Sequence, residues 1–283
     1  MKDLSVIVVS FNTCKLTKKT LTEVISSLSQ EKLDWEIIVV DNASIDGSIQ
    51  MLELLALSHP ELKVIKNAAN VGFGAANNQA IRRAQGEYTL LLNSDVEINK
   101  TQFTQLINYL RKNPNVGGLT VKVMLNNIHI DPASHRGFPT IWRTVSYYSG
   151  LEKLSQSIPL LNRVFGGYHM TWEDLSTKHE IDSPTAAFFL ISTKLLKEVK
   201  GFDEDFFMYG EDLDLAYRIR QKGYKIMYYP VFTVLHLKHQ SGLKTYDTKT
   251  KRATTQHFYN AMKNFLQKAL CSTKTFNIKP YYL

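Results

Sequence analysis

Two stretches near the start of the chain, Leu4–Val9 (LSVIVV) and Trp35–Val40 (WEIIVV), are unbroken runs of apolar, mostly β-branched residues. Runs of this kind predict strands buried on both faces, as in a parallel sheet. Between them Leu16, Leu21, Val24, Ile25 and Leu28 mark one face of a helix. The alternation continues with a helix over 49–58, a short strand at 63–65, a helix over 75–84 and a strand over 88–92. Strand–helix alternation predicts βαβ units and an open, mostly parallel sheet flanked by helices. Such sheets bind ligands beyond the carboxyl ends of their strands. Polar clusters stand at three of those ends: Ser10–Thr13, Asp41–Ser44 and Asn93–Asp95.

Further on, 101–112 has the spacing of an amphipathic helix and 118–124 that of a strand. From 126 to 184 the pattern loosens and aromatic and turn residues accumulate, which suggests an insertion over the cleft where an acceptor is read. Strand character returns at 186–192, a short helix is expected over 193–199, and 225–235 reads as a strand broken at Pro230. That last strand delivers His236, with His239 close behind it.

The segment Gly201–Gly223 (GFDEDFFMYGEDLDLAYRIRQKG) is the densest in candidate chemistry. After Gly210 it becomes helical, with Glu211, Asp212 and Asp214 in the first turn, Arg218, Arg220 and Lys222 late, and Gly223 placed for a left-handed C-terminus. Acids first, bases last and glycine after them match the helix dipole. A carboxylate held by N–H groups at that end is kept ionised and aimed, and beside aromatic walls it suits a general base. On this segment alone, capping and catalysis both remain open.

Composition narrows the class. The 283 residues are 44% hydrophobic, enough for one large α/β domain or two small ones, and no run approaches the length of a membrane span. The start, MKDLSVIVVSF, reads as entry into a strand rather than a signal peptide, and Cys14 and Cys271 are too few for a disulfide framework. A cytoplasmic location is expected. The net charge of +8 resides in the C-terminal tail, which from His236 onward carries nine Lys and Arg against Asp247 alone. Phe258, Met262, Phe265, Leu266 and Ala269 form an apolar helical stripe there. A basic amphipathic tail suits either packing on the domain or peripheral contact with the anionic inner face of the cell membrane. It has no nucleic-acid-binding motif. The first strand is followed by Ser-Phe-Asn-Thr and not by GxGxxG, which argues against a dinucleotide-binding oxidoreductase.

Five ordered motifs, VVSFNT (8–13), VVDNASIDGS (39–48), NVGFGAANNQAI (70–81), LLLNSD (90–95) and the segment 201–224, resemble the family 2 inverting glycosyltransferases of the GT-A fold. The similarity is closest to bacterial rhamnosyltransferase-like members. By that resemblance Ser10, Asn12, Asp41 and Asn42 would hold the donor nucleotide, Asn77 and Asn78 would face it, and Asn93, Ser94 and Asp95 would match the metal-binding DxD-like motif. Asp95 and His236 would then bind Mg2+ or Mn2+. Asn93 stands where the motif's first Asp is usual. Asp212 would be the catalytic base, with Glu211 beside it. Asp182 would head an acceptor loop in which Ala186 replaces a glycine.

The resemblance implies transfer of a sugar, first L-rhamnose from dTDP-L-rhamnose or else a hexose from a UDP-sugar, to a glycan or a polyprenyl-diphosphate-linked acceptor. It also implies a division into a nucleotide-sugar-binding half (1–125), an acceptor-binding and catalytic half (126–242) and the tail (243–283). A catalytically silent nucleotide-sugar-binding subunit is the rival expectation, motivated by Asn93 and Ala186.

Overall fold

The computed structural model describes residues 2–98, 101–125 and 128–237. The elements in chain order are β1 (Lys2–Ser10), α1 (Cys14–Ser29), β2 (Trp35–Asp41), α2 (Ser48–Ser58), β3 (Leu62–Lys66), α3 (Phe73–Arg83), β4 (Gly86–Asn93) and β5 (Val96–Glu97). They continue with α4 (Phe103–Lys112), β6 (Val116–Met124), a 3-10 turn (Pro132–Ser134), α5 (Ile141–Tyr148), α6 (Leu151–Ser155) and α7 (Pro159–Phe165). The remainder are β7 (His179–Ile181), β8 (Phe188–Ser192), α8 (Thr193–Glu198), α9 (Glu211–Gln221) and β9 (Lys225–His236).

The strands form one sheet in the order β3-β2-β1-β4-β8-β6-β9-β5, with β7 also paired to β9. The β1, β2, β3 and β4 pairings are parallel, β8 is antiparallel to both β4 and β6, and β6 is parallel to β9. Six strands therefore share one direction, while β5, β7 and β8 oppose them. The sheet is mostly parallel, as the buried apolar runs predict.

Side chains alternate across a strand, and the sequence uses that period to fill two cores. Leu4, Val6, Val8, Ile37, Val39, Leu90 and Leu92 face one side, where α1, α2 and α4 deliver Leu21, Val24, Leu28, Leu52, Phe103 and Leu106. Ile7, Ile38, Val40 and Leu91 face the other, against Ala76 and Ala80 of α3, Leu195 and Leu196 of α8 and Leu215 and Ile219 of α9. Every β2 residue is buried, so neither face of its central strands is left to water. Among the described residues no helix is long and apolar enough to cross a membrane.

Two expectations need correction. Pro230 does not break the last strand. The β6–β9 ladder shifts register between Thr120 and Lys122, opposite Tyr228 and Thr233, so Pro230 lies in a bulge where no ladder donor is required. The region 126–184 is also more regular than its pattern suggests, since it holds the 3-10 turn, three short helices and β7. The basic tail and His239 lie outside the described residues.

Candidate active site

The carboxyl ends of β1, β2 and β4 bring Ser10, Asp41 and Asn93 to one rim of the sheet, as the registers Ser10↔Asp41 and Val9↔Asn93 require. Asp41 is fully buried. Its Oδ1 accepts from the Ser44 N–H at 2.9 Å, while Oδ2 has no partner. A buried carboxylate oxygen without a donor is costly and calls for a ligand or water to complete it.

Most of the other residues expected at the nucleotide are engaged within the protein. The Ser10 hydroxyl meets Thr17 Oγ1 at 3.1 Å. Asn12, at φ 52°, accepts from Ile45 N–H and donates its own N–H to Ser44 Oγ. Asn42 donates to Asn70 Oδ1 and the Gly72 carbonyl and accepts from Asn67 Nδ2 and the Val71 N–H, which clamps the loop before α3. Asn77 donates to Phe73 O within its own helix.

Asn78 departs furthest from its expected place facing the donor. Its Nδ2 donates to the Phe202 carbonyl at 2.8 Å and to Glu204 at 2.9 Å, and its Oδ1 accepts from the Phe202 N–H at 2.9 Å. It ties α3 to the segment that leads into α9. Gly201, at φ +65°, passes so close to Asn78 Oδ1 that a Cβ would meet it at 2.3 Å. The side chain is spent on structure, because a buried backbone segment without secondary structure needs such partners. We expect Asn78→Ala to lower stability by about 2–4 kcal/mol, and Asn77→Ala by about 1 kcal/mol, in urea unfolding. Equal small losses would return Asn78 to the donor side.

Beyond β4 the chain turns at Ser94 and Asp95 into β5, and Val96 pairs with His236 at the end of β9. That pairing sets His236 Nε2 3.3 Å from Asp95 Oδ1 and 3.3 Å from Asn93 Nδ2. Ser94 Oγ meets Thr13 Oγ1 at 3.2 Å. Asn93 Oδ1 is buried without a partner. His236 Nδ1 meets Oδ2 of Asp131 at 2.9 Å, and Asp131 is wholly buried. Burial opposes a charge on this imidazole. The hydrogen bonds and charges of Asp131 and Asp95 outweigh it and push its pKa up to about 9. A carboxylate on Nδ1 fixes the ring and leaves Nε2 directed at Asp95, the arrangement that orients metal-ligating histidines. Among the described residues no three His, Cys, Asp or Glu side chains converge as a metal cage. Asp95 and His236 thus set one carboxylate and one imidazole side by side.

α9 begins after Tyr209 (φ 69°) and Gly210 (φ 80°), with Gly210 as an N-cap lacking a side chain to bond the first turn. Asp212 Oδ2 accepts from Arg136 Nη2 at 2.8 Å, and its Oδ1 accepts from the Leu213 N–H at 2.8 Å. The Arg136 side chain is half-buried, and its Nε is buried without a partner. Glu211, the first residue of α9, is buried. Burial and the neighbouring Asp212 charge raise its carboxyl well above the usual range, and Oε2 has no partner. Asp214 keeps a structural role, accepting from Arg218 one turn on.

Raised pKa values in the fold favour the protonated form, so Glu211 destabilises the native state increasingly as pH rises above its ordinary 4.5. Glu211→Gln is expected to match the wild type in stability below that pH. Its advantage then grows towards neutrality by at most about 1.4 kcal/mol per pH unit. Thermal melts across pH check this, and a constant difference would contradict it.

Asp131 and Arg136 carry no motif or periodicity in the sequence, yet they pair with His236 and Asp212. Residues 130–131 fold back on the end of β6 through the Ile130–Met124 bridge and the Asp131 N–H to Val123 carbonyl bond, and Arg136 bridges to Ser183. The partner of His236 and the partner of Asp212 are five positions apart in the chain, a Cα separation of at most about 18 Å. Asp182 also anchors the insertion, accepting from the Phe138 N–H and from Arg143 Nη1.

A family model described as glycosyl transferase family 2 matches residues 5–174, more than half of the chain. The chain belongs to glycosyl transferase family 2. Rhamnosyltransferase WbbL of Escherichia coli is 24% identical over 91% of this chain and 92% of its own length. The N-acetylglucosaminyl-diphospho-decaprenol L-rhamnosyltransferase of Mycobacterium tuberculosis is 25% identical over 73% of this chain and 68% of its own. Other relatives are longer. The chain spans 24% of the uncharacterized protein y4gI of Sinorhizobium fredii and 48% of the poly-beta-1,6-N-acetyl-D-glucosamine synthase of Staphylococcus epidermidis. Among solved structures, the mannosyltransferase of Pyrobaculum calidifontis in complex with GDP-Man and Mn2+ aligns with a TM-score of 0.57 at 20% identity. It covers 93% of this chain and 64% of that one. GalNAc-T7 with UDP, GalNAc and Mn2+ gives 0.60 at 17% identity, over 83% and 44%. These neighbours share the GT-A architecture of this family 2 transferase.

Proposed function

We propose that the chain transfers a sugar from a pyrimidine nucleotide-sugar to a hydroxyl of a glycan or lipid-linked acceptor by a single, inverting displacement. L-rhamnose from dTDP-L-rhamnose is the first candidate donor and a UDP-hexose the second. The observation that supports this reading is the short stretch from Asp131 to Arg136, which joins the partner of His236 in the Asp95–His236 pair to the partner of the Asp212 carboxylate.

Asp41 Oδ2 suits the N3–H of the base, which thymine and uracil share. Asp95 and His236 offer an oxygen and a nitrogen donor to Mg2+ or Mn2+, and the unpartnered Asn93 Oδ1 supplies a further oxygen beside them. Such a set fits a hard divalent ion whose other positions are filled by diphosphate and water. That ion would neutralise the charge growing on the departing diphosphate. Asp212, positioned by Arg136 and the Leu213 N–H, takes the proton of the acceptor hydroxyl. The hydroxyl oxygen bonds to the anomeric carbon from the face opposite the diphosphate, and the carbon–oxygen bond to the diphosphate breaks. No covalent enzyme intermediate is needed. The unpartnered Arg136 Nε and Glu211 Oε2 flank this carboxylate and suit a second acceptor hydroxyl.

A thermal-shift panel of dTDP-rhamnose, UDP-hexoses and GDP-mannose, each with and without Mn2+, tests the reading. A metal-dependent rise with a pyrimidine donor, lost in Asp41→Ala, is expected. No shift with any pyrimidine donor in Mn2+ would overturn it, and a rise confined to UDP-hexoses would favour the second candidate.

A further inference from the structure

Helices α5, α6 and α7 are inside out. In α5 the side chains of Ile141, Val145 and Tyr148 lie on one stripe at i, i+4 and i+7, and that stripe faces solvent at 75%, 50% and 69% exposure. The residue α5 buries is Ser146, whose hydroxyl has no partner. α6 buries Glu152 and Ser155 while leaving Leu154 75% exposed. α7 buries Asn162 and exposes Leu160 at 77%, together with Val164. An ordinary surface helix does the reverse. Water gives no reason for three consecutive helices to turn polar residues inward and aliphatic ones outward.

The helices themselves expose Lys153 and Arg163 and no acid; the nearest following acids, Glu173 and the exposed Asp174, lie beyond α7. Between Pro139 and Trp172 the sequence has Arg143, Lys153 and Arg163 but only one acid, Glu152. Glu152 is buried and pairs with His169 Nδ1 at 2.6 Å, whereas Lys153 and Arg163 are exposed. Trp142, half exposed, donates its Nε1–H to the Val164 carbonyl across the helices. Tyr147 and Tyr148 of α5 are also exposed. Exposed aliphatic side chains, exposed Trp and Tyr, and exposed bases on the same helices are the composition of a surface that lies in the headgroup region of an anionic bilayer.

We propose that α5–α7 form an in-plane docking surface for anionic lipid. Arg143 fastens this unit to Asp182 and to the Phe138 carbonyl, and the same insertion supplies Arg136 to Asp212. Docking through it sets the base at the membrane surface, where a lipid-linked hydroxyl arrives. That purpose rests on the acceptor class proposed above; the docking itself does not.

The test is sedimentation of the full chain with vesicles of phosphatidylglycerol and phosphatidylcholine, or of phosphatidylcholine alone. The wild type is expected to bind the anionic vesicles with a blue shift in tryptophan emission. The combined variant Ile141→Ser, Val145→Ser, Leu160→Ser is expected to lose more than about tenfold in affinity. Lys153→Glu with Arg163→Glu is expected to lose the preference for phosphatidylglycerol. These side chains are exposed, so the variants keep the wild-type melting temperature and their transfer to a water-soluble acceptor. The proposal is overturned if the serine variant binds vesicles like the wild type, or if the wild type does not bind. It is also overturned if removing residues 250–283 alone abolishes binding, or if the serine changes only convert a dimer to a monomer. Vesicle binding without any transfer by the wild type would instead count against the enzymatic reading and leave docking standing.

Discussion

Replacing Asp212 by Asn lowers kcat by about 10²- to 10⁴-fold, the range for loss of a positioned general base. Donor binding, read by titration with nucleoside diphosphate in Mn2+, stays near the wild-type value. The amide keeps the size of the carboxylate and can still accept from the Leu213 N–H, so the start of α9 is preserved. What it loses is the negative charge opposite Arg136 and the ability to take a proton. Arg136→Lys separates the two losses. A lysine preserves the charge but not the Nη2 geometry of the 2.8 Å contact, so a smaller fall in kcat with little change in donor affinity is expected. Steady-state kinetics on both variants decide the matter. A rise in KM alone for Asp212→Asn would make the carboxylate a binding group and not the base.

The second large effect is expected at Asp95. Asp95→Ala removes the one carboxylate among the proposed donors Asp95, His236 and Asn93, and nucleoside-diphosphate affinity in Mn2+ should fall to the value measured in EDTA. Asp131→Asn is the graded control. It leaves these donors in place but takes the charge from behind His236, and loss of such an outer partner costs about 10- to 100-fold in metal affinity. Calorimetric titration of Mn2+ in the presence of nucleoside diphosphate measures both. Unchanged metal dependence in Asp95→Ala would remove the pair from the metal's coordination.

The central sheet was legible because its strands are buried on both faces. Leu4–Val9 and Trp35–Val40 carry the signal in every residue, and the polar residues that end them mark the rim. Asp41, Asp95 and Asp212 fall at or just beyond element ends, where topology gathers them. The roles of Asn42 and Asn78 are not legible in the sequence, because an amide that clamps a loop and one that grips a ligand are the same residue type in the same stretch. Only their partners, Asn67, Asn70 and Phe202, distinguish the two roles. Asp131 and Arg136 sit in a segment without periodicity, and their value lies in pairing with His236 and Asp212, respectively 105 and 76 residues away. Helices α5–α7 escaped notice for a different reason. Their apolar spacing is helical, but each is short, and their buried faces are polar. A rule that assigns apolar residues to a core has no place for such helices. Pro230 likewise signals a break to any single-strand rule, while the partner strand accommodates it with a bulge.

Single displacement with Asp212 as the base makes one demand that no binding experiment reaches. The purified chain, given its nucleotide-sugar, Mn2+ and a membrane lipid extract or short glycan as acceptor, should form a glycoside whose anomeric configuration is opposite to that of the donor, as read by proton NMR. Inversion is the predicted result. Retention would require a second displacement or a front-face mechanism and would contradict the role given to Asp212.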